Sequence, residues 1–173
     1  SVYIEIQKNI PIYIKNAVKR EDFLITGSVG AGRWAEVPWI GIFNKNITTS
    51  AQQGFYVCYL FANDMNSIFL TIIHSITKKV SGKNWGKDQI KIFVDSKRQD
   101  LKSFIEDNQY HLPGDITIDD PISFGKSERA KKYSESTIAY KEYNRGNIPS
   151  NDELINDLYK FIHLYDLMAK AEG

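Results

Sequence analysis

Cysteine is nearly absent from this chain: among 173 residues there is one, Cys58. That excludes an internal disulfide and any multi-cysteine zinc site, and it fits a reducing compartment, so the expected location is the cytoplasm. Histidine is scarce as well, and His74, His111 and His163 show no metal-ligand spacing. No apolar run approaches the roughly 18 residues of a membrane span, so no membrane partner is expected. Neither sign of charge dominates, since 22 Lys and Arg against 21 Asp and Glu leave a formal charge of +1. No internal repeat or low-complexity tract occurs.

What remains is an ordinary globular composition, 42% hydrophobic and 25% charged, long enough for one domain over residues 1–173. The pattern predicts an α+β fold, a mostly antiparallel curved sheet with flanking helices and a long C-terminal helix. Phe55–Phe61 and Ser67–His74 are aromatic and β-branched runs joined by Asn63-Asp64-Met65-Asn66, a hairpin signature. Both runs are apolar on both faces, which puts the hairpin in the middle of a covered sheet. Phe23–Thr26 and Val37–Phe43 read as further strands, and Ile116–Ile118 as a short edge strand. A short helix or strand is expected up to Asn9, then a helical turn over Ile12–Val18. Ile90–Val94 reads as a strand, followed by a helix over 97–109 capped by Asp95 or Ser96. Residues 126–146 are expected to be irregular, or helical in their second half. Ser150-Asn151-Asp152-Glu153 forms a capping box that opens the last helix, with Leu154, Leu158, Phe161, Ile162, Tyr165 and Met168 on one stripe.

The stretch richest in chemistry is Gly27-Ser28-Val29-Gly30-Ala31-Gly32-Arg33-Trp34, which runs on through Pro38-Trp39-Ile40. Three glycines in six residues free the backbone to approach a ligand, and Arg33 adds a fixed charge. Gly30-Ala31-Gly32-Arg33-Trp34-Ala35 fits the dinucleotide pattern G-x-G-x-x-A. That fingerprint needs a helix to follow, and Pro38 stops one. Gly125-Lys126-Ser127 imitates the end of a phosphate loop, but Asp120 stands where its first glycine belongs. Asp95-Ser96-Lys97 has the D-x-K spacing of metal-dependent nucleases and supports an alternative reading of that kind, with Asp88 or Asp64 as the second carboxylate. Helix capping explains Asp95 and Ser96 more simply. A further alternative, a protein-interaction domain, rests on the apolar stripe of the last helix.

Charge is unevenly spread. Residues 76–102 carry eight cations, among them Lys83, Lys87, Lys91 and Lys97, against three acids. Such a segment fits a polyanion footprint or a solvated lysine-rich face. Strand alternation adds geometry: Tyr56, Cys58 and Leu60 share one face, as do Trp39 and Gly41. If those strands are neighbours, Trp39, Tyr56 and Leu60 wall a flat slot beside Gly41, suited to a planar ring, or are plain core.

Two blocks, Gly27-Ser28-x-Gly30-x-Gly32-x-Trp34-x-x-x-Pro38-Trp39-Ile40 and Gly54-Phe55-Tyr56-Val57-x-x-Leu60-Phe61, resemble the N-terminal modified-cytosine-binding domain of McrB-type restriction proteins. The resemblance implies a specificity module that binds double-stranded DNA carrying 5-methyl- or 5-hydroxymethylcytosine and turns the modified base into an aromatic pocket. The implied pocket residues are Trp39, Tyr56 and Leu60. The implied DNA-contact loop is Ser28, Gly30, Ala31, Gly32 and Arg33, with Lys83 and Lys87 as candidate backbone contacts. Where the family can carry a tyrosine that fills the gap left by the base, this chain has Ala31. The resemblance further implies that the chain is the N-terminal part of a longer restriction protein, part of a phage-defence system. On that resemblance it is expected to bind rather than cleave and to need no cofactor or metal, with a GTPase motor and a nuclease fused or associated.

Overall fold

The computed structural model describes residues 1–30, 37–75, 79–80, 83–84, 86–107, 116–118, 122, 124 and 126–172. Its centre is a five-stranded sheet in the order β1 (Phe23–Ser28), β2 (Trp39–Asn44), β3 (Phe55–Phe61), β4 (Ser67–His74), β7 (Thr137–Asn144), with every neighbouring pair antiparallel. The hairpin of the two most apolar runs, β3–β4, lies inside the sheet. Its loop is held by the Asp64 carboxylate, which accepts from the Asn66 N–H at 2.9 Å, and by Met65 at φ 59°. A small ribbon pairs β5 (Lys79–Val80) with β6 (Lys83–Asn84).

One face of the sheet is covered by the chain's two ends. The N-terminal segment is helical throughout, as α1 (Val2–Ile4), a π-helical turn (Glu5–Asn9) and α2 (Ile10–Val18), where the sequence suggests two separate pieces. Pro11 accounts for the π turn. It has no N–H to give, and the Ile10 N–H reaches back to the Glu5 carbonyl, one residue beyond the α-helical spacing. The Ile6 carbonyl, left out of that bond, presses on β1. A Cβ on Gly27 would lie 1.9 Å from it, so only glycine permits this seating.

The other end is α5 (Asn151–Glu172), opened as the capping box predicts, with the Ser150 hydroxyl accepting from the Glu153 N–H at 3.3 Å. Leu158, Phe161, Leu164 and Tyr165 are wholly buried against the sheet, so the apolar stripe of this helix is core. Tyr165 stitches α5 to two strands: its hydroxyl accepts from the Asn44 N–H at 2.9 Å and donates to the Phe55 carbonyl at 3.1 Å.

Two stretches differ from the sequence expectation. Lys87–Asp107 is one helix, α3, and the run Ile90–Val94 is part of it rather than a strand. The buried Ile90, Val94 and Leu101 recur at helical spacing, while Ile92 is 70% exposed. Asp95 therefore caps nothing. It lies mid-helix between Lys91 and Arg98, at 2.5 and 3.2 Å. In residues 126–146 the helix comes first, as α4 (Glu128–Ser136), capped by Ser127, and β7 follows. The expected edge strand Ile116–Ile118 reduces to a single bridge, Thr117 with Tyr140. Phe124 packs on Phe69 and Tyr133 packs on Phe124, which covers the second face over β4 and leaves the β1–β3 end of that face to other residues.

Candidate nucleic-acid interface

Strand register assembles the site. Ser28, Trp39 and Leu60 are direct partners across β1, β2 and β3, so the glycine-rich loop leaves the sheet beside Trp39. Both feet of that loop are fixed by burial, Val29 and Val37 being sealed from solvent. Gly30 has φ 105°, a conformation that other residues rarely adopt, and its N–H turns back to the Ser28 hydroxyl at 3.4 Å. Ala31, Gly32 and Arg33 lie outside the described residues, as do Trp34 and Trp85.

On this face Trp39, Gly41 and Phe43 of β2 stand beside Tyr56, Cys58 and Leu60 of β3. Leu60 is fully buried under the Trp39 step, whereas Trp39 itself is half-buried. The room beside Gly41 is taken by the Phe43 ring: a Cβ on Gly41 would lie 2.5 Å from two of its ring carbons and 3.2 Å from the Trp39 indole. Phe43 meets Trp39 edge-on, with ring centroids 6.2 Å apart, and Tyr56 at 4.7 Å. The aromatic group is thus a row, Trp39–Phe43–Tyr56, with Phe43 between the other two. Tyr56 is buried at its inner end, its hydroxyl donating to the Ala51 carbonyl at 3.0 Å. Phe43 is the member that the sequence reading passes over, although its parity on β2 matches that of Trp39 and Gly41.

The row is apolar and offers shape and π-faces rather than acid–base chemistry. Cys58, in its midst, is fully buried, and desolvation pushes its thiol well above the ordinary range, which makes it a small hydrophobe and not a nucleophile. Among the described residues no group of three or more His, Cys, Asp or Glu gathers as a metal site. The D-x-K reading loses its premise, because Asp95 is on a helix and is neutralised by Lys91 and Arg98; these partners also hold its carboxyl below the usual range.

The basic segment is partly consumed by the fold. Arg98 donates to the Thr137 carbonyl at 3.1 Å, fixing α3 to β7, and Lys97 lies over the Phe93 ring at 5.3 Å. Lys83 belongs to β6 and Lys87 opens α3, while their side chains lie outside the described part. Among the described residues no helix is long and apolar enough to cross a membrane.

A family model described as the MrcB-like, N-terminal domain matches residues 3–170. The chain belongs to this family. The match runs through the N-terminal helix, the sheet and α5 together, so the row beside the glycine loop is set in the frame of an MrcB-like domain. Membership supports a DNA-binding role in a restriction system for this MrcB-like chain, and a binding rather than a catalytic module. No curated protein matches it in sequence.

Proposed function

We propose that this MrcB-like domain reads modified cytosine, 5-methyl or 5-hydroxymethyl, in duplex DNA by turning the base out of the helix against Trp39. It serves as the specificity module of a modification-dependent restriction system, whose GTPase motor and nuclease lie elsewhere in the protein or in a partner. One observation carries most of this reading: Trp39 is the solvent-reaching end of an aromatic row and is one ladder step from a glycine-rich, arginine-bearing loop. Base and protein then meet where the backbone can come closest to DNA.

Extruding a base costs a few kcal/mol of pairing and stacking, and stacking on an aromatic side chain returns about 1–3 kcal/mol. The exchange is close to balance, so contacts to phosphate supply much of the affinity and make it fall with salt. Ser28, Gly30, Ala31, Gly32 and Arg33 are the residues to touch the groove or backbone, helped by Lys83 and Lys87. Tyr56 and Leu60 back the wall that Trp39 presents.

Fluorescence anisotropy with duplexes that differ only in one cytosine, plain, methylated or hydroxymethylated, tests the proposal. A 2-aminopurine beside that position reports extrusion by brightening as it unstacks. Modified duplexes should bind more tightly, and Trp39→Ala should remove both the preference and the brightening. Equal affinity for all three duplexes, unchanged in Trp39→Ala, would overturn it.

A further inference from the structure

We propose that the groove between the N-terminal helix, the start of α5 and the sheet is a binding site for a small, neutral, largely apolar molecule. Its volume is about 280 Å³, nearly twice the roughly 150 Å³ of an engineered protein cavity that takes up benzene. A fused two-ring compound fits by size. The floor is the helix-covered face of the sheet, where Ile40, Tyr59, Phe61 and Ile68 leave a mostly apolar surface. Ile14 of α2 and Leu154 of α5 wall it. At the mouth Tyr13 and Ile148 stay 53% and 47% exposed, apolar area that a bound molecule would take out of water.

Two observations narrow the chemistry. The Tyr59 hydroxyl has no hydrogen-bond partner among the described residues, so one polar group on the ligand has a place to bond. Its neighbour Tyr143 is committed to Asp157, donating at 2.7 Å. Charge decides against an anion. Asp157 is balanced by Lys141 at 2.7 Å and Lys160 at 3.9 Å, while Asp152 and Glu153 follow Asn151 at the rim. A neutral molecule gives up the least solvation on entry.

The groove is separate from the DNA-reading proposal and does not rest on it. Its floor pair, Ile40 and Tyr59, is the ladder step next to Trp39 and Leu60, with side chains on the opposite face. The two sites therefore stand back to back through one layer of sheet.

The test uses the 173-residue chain and the neutral naphthalene dye prodan, whose ketone accepts a hydrogen bond. Saturable, one-to-one binding with a blue shift is expected. Tyr59→Phe should weaken it about fivefold, the worth of one neutral hydrogen bond. Leu154→Trp, which fills the groove from a half-buried position, should abolish it, with circular dichroism showing both variants folded. The absence of saturable binding would overturn the proposal, and so would unchanged binding in Leu154→Trp. Equally tight binding of anionic anilinonaphthalene sulfonate would also overturn it. A dimer in light scattering that Leu154→Trp dissolves would instead assign the groove to a second copy of the chain.

Discussion

Replacing Gly27 by alanine tests how the N-terminal helix is seated on the strand that launches the loop. The new methyl carbon would sit 1.9 Å from the Ile6 carbonyl oxygen and 2.9 Å from its carbon. Carbon and oxygen in contact need about 3.3 Å, so helix and strand must part by about 1.4 Å. Neither group is a side chain with another rotamer, so the strain cannot be absorbed locally. Ile6 and Ile14, both buried, lift with the helix. Overpacking costs about 1–3 kcal/mol where side chains can yield, and with backbone on both sides about 3 kcal/mol is expected. For a chain of this length that corresponds to a Tm about 6–12 °C lower. Differential scanning calorimetry measures it. Gly146→Ala is the control, because a Cβ there meets nothing within 4 Å. A Gly27→Ala Tm within about 2 °C of the parent would refute the seating argument.

Gly41→Ala forces Phe43 and Trp39 away from contacts of 2.5 and 3.2 Å. Those groups are side chains that can swing, so about 1–2 kcal/mol of stability is lost, and the preference for modified duplexes should fall in the anisotropy assay. An unchanged preference would remove the row from the reading mechanism. Tyr165→Phe leaves the buried Asn44 N–H and Phe55 carbonyl without the hydroxyl that bridges them, which should cost about 1–3 kcal/mol in urea unfolding. Arg20 holds Asp22 at 2.8 Å and Asp166 at 3.0 Å, and its hydrogen bond keeps the Asp22 carboxyl below its ordinary 3.8. A depressed folded-state value stabilises above the unfolded one and is lost as pH falls through it. Arg20→Gln should therefore lower stability by about 1 kcal/mol or less near neutral pH, these groups being a third exposed. The difference from the parent should shrink as the pH is taken below 3.8 and the carboxyl protonates; a gap that stays constant on acidification would contradict the assignment. Cys58 should resist a disulfide thiol reagent in the folded chain and react at once in urea, read by absorbance.

Local chemistry was the legible part. The β3–β4 hairpin announces itself through two apolar runs and a turn whose aspartate bonds its own backbone, and Ser150 through Glu153 announces α5. Both signals are complete within a few residues. Ile90–Val94 misleads because Ile-Lys-Ile-Phe-Val has strand composition, and only the burial of Ile90, Val94 and Leu101 together reveals a helix. Thr137–Asn144 has only Ile138 and Ala139 as aliphatic residues among polar and aromatic ones, yet it pairs along β4, whose hydrophobicity supplies much of the burial. At the candidate site, alternation alone groups Trp39 with Gly41 and Tyr56 with Leu60. The pairing of Trp39 with Leu60 needs the register, and the filling of the Gly41 gap needs the Phe43 rotamer. Gly27 reads as loop flexibility in the sequence. Its close approach depends on the distant Ile6 carbonyl and on the π turn that frees it.

The order of the row bears on how selective such a reader can be. Phe43 is locked between Trp39 and Tyr56, and the Tyr56 hydroxyl is tied to Ala51, so the inner two rings are fixed before any ligand arrives. A base reaching Trp39 meets a wall whose ordering entropy was lost on folding, which favours binding of any base that fits. Preorganisation of this kind raises affinity without telling cytosine from its methylated form. The methyl group itself contributes about 0.8 kcal/mol when buried, which is about a fourfold preference at room temperature. Any larger selectivity has to come from the price of extrusion, set by the duplex, and from what occupies the vacated stack. On the proposed reading that second role falls to the loop between Val29 and Val37. The row then carries the methyl-dependent preference of about fourfold, and any excess over it should fall with substitutions in the glycine-rich loop.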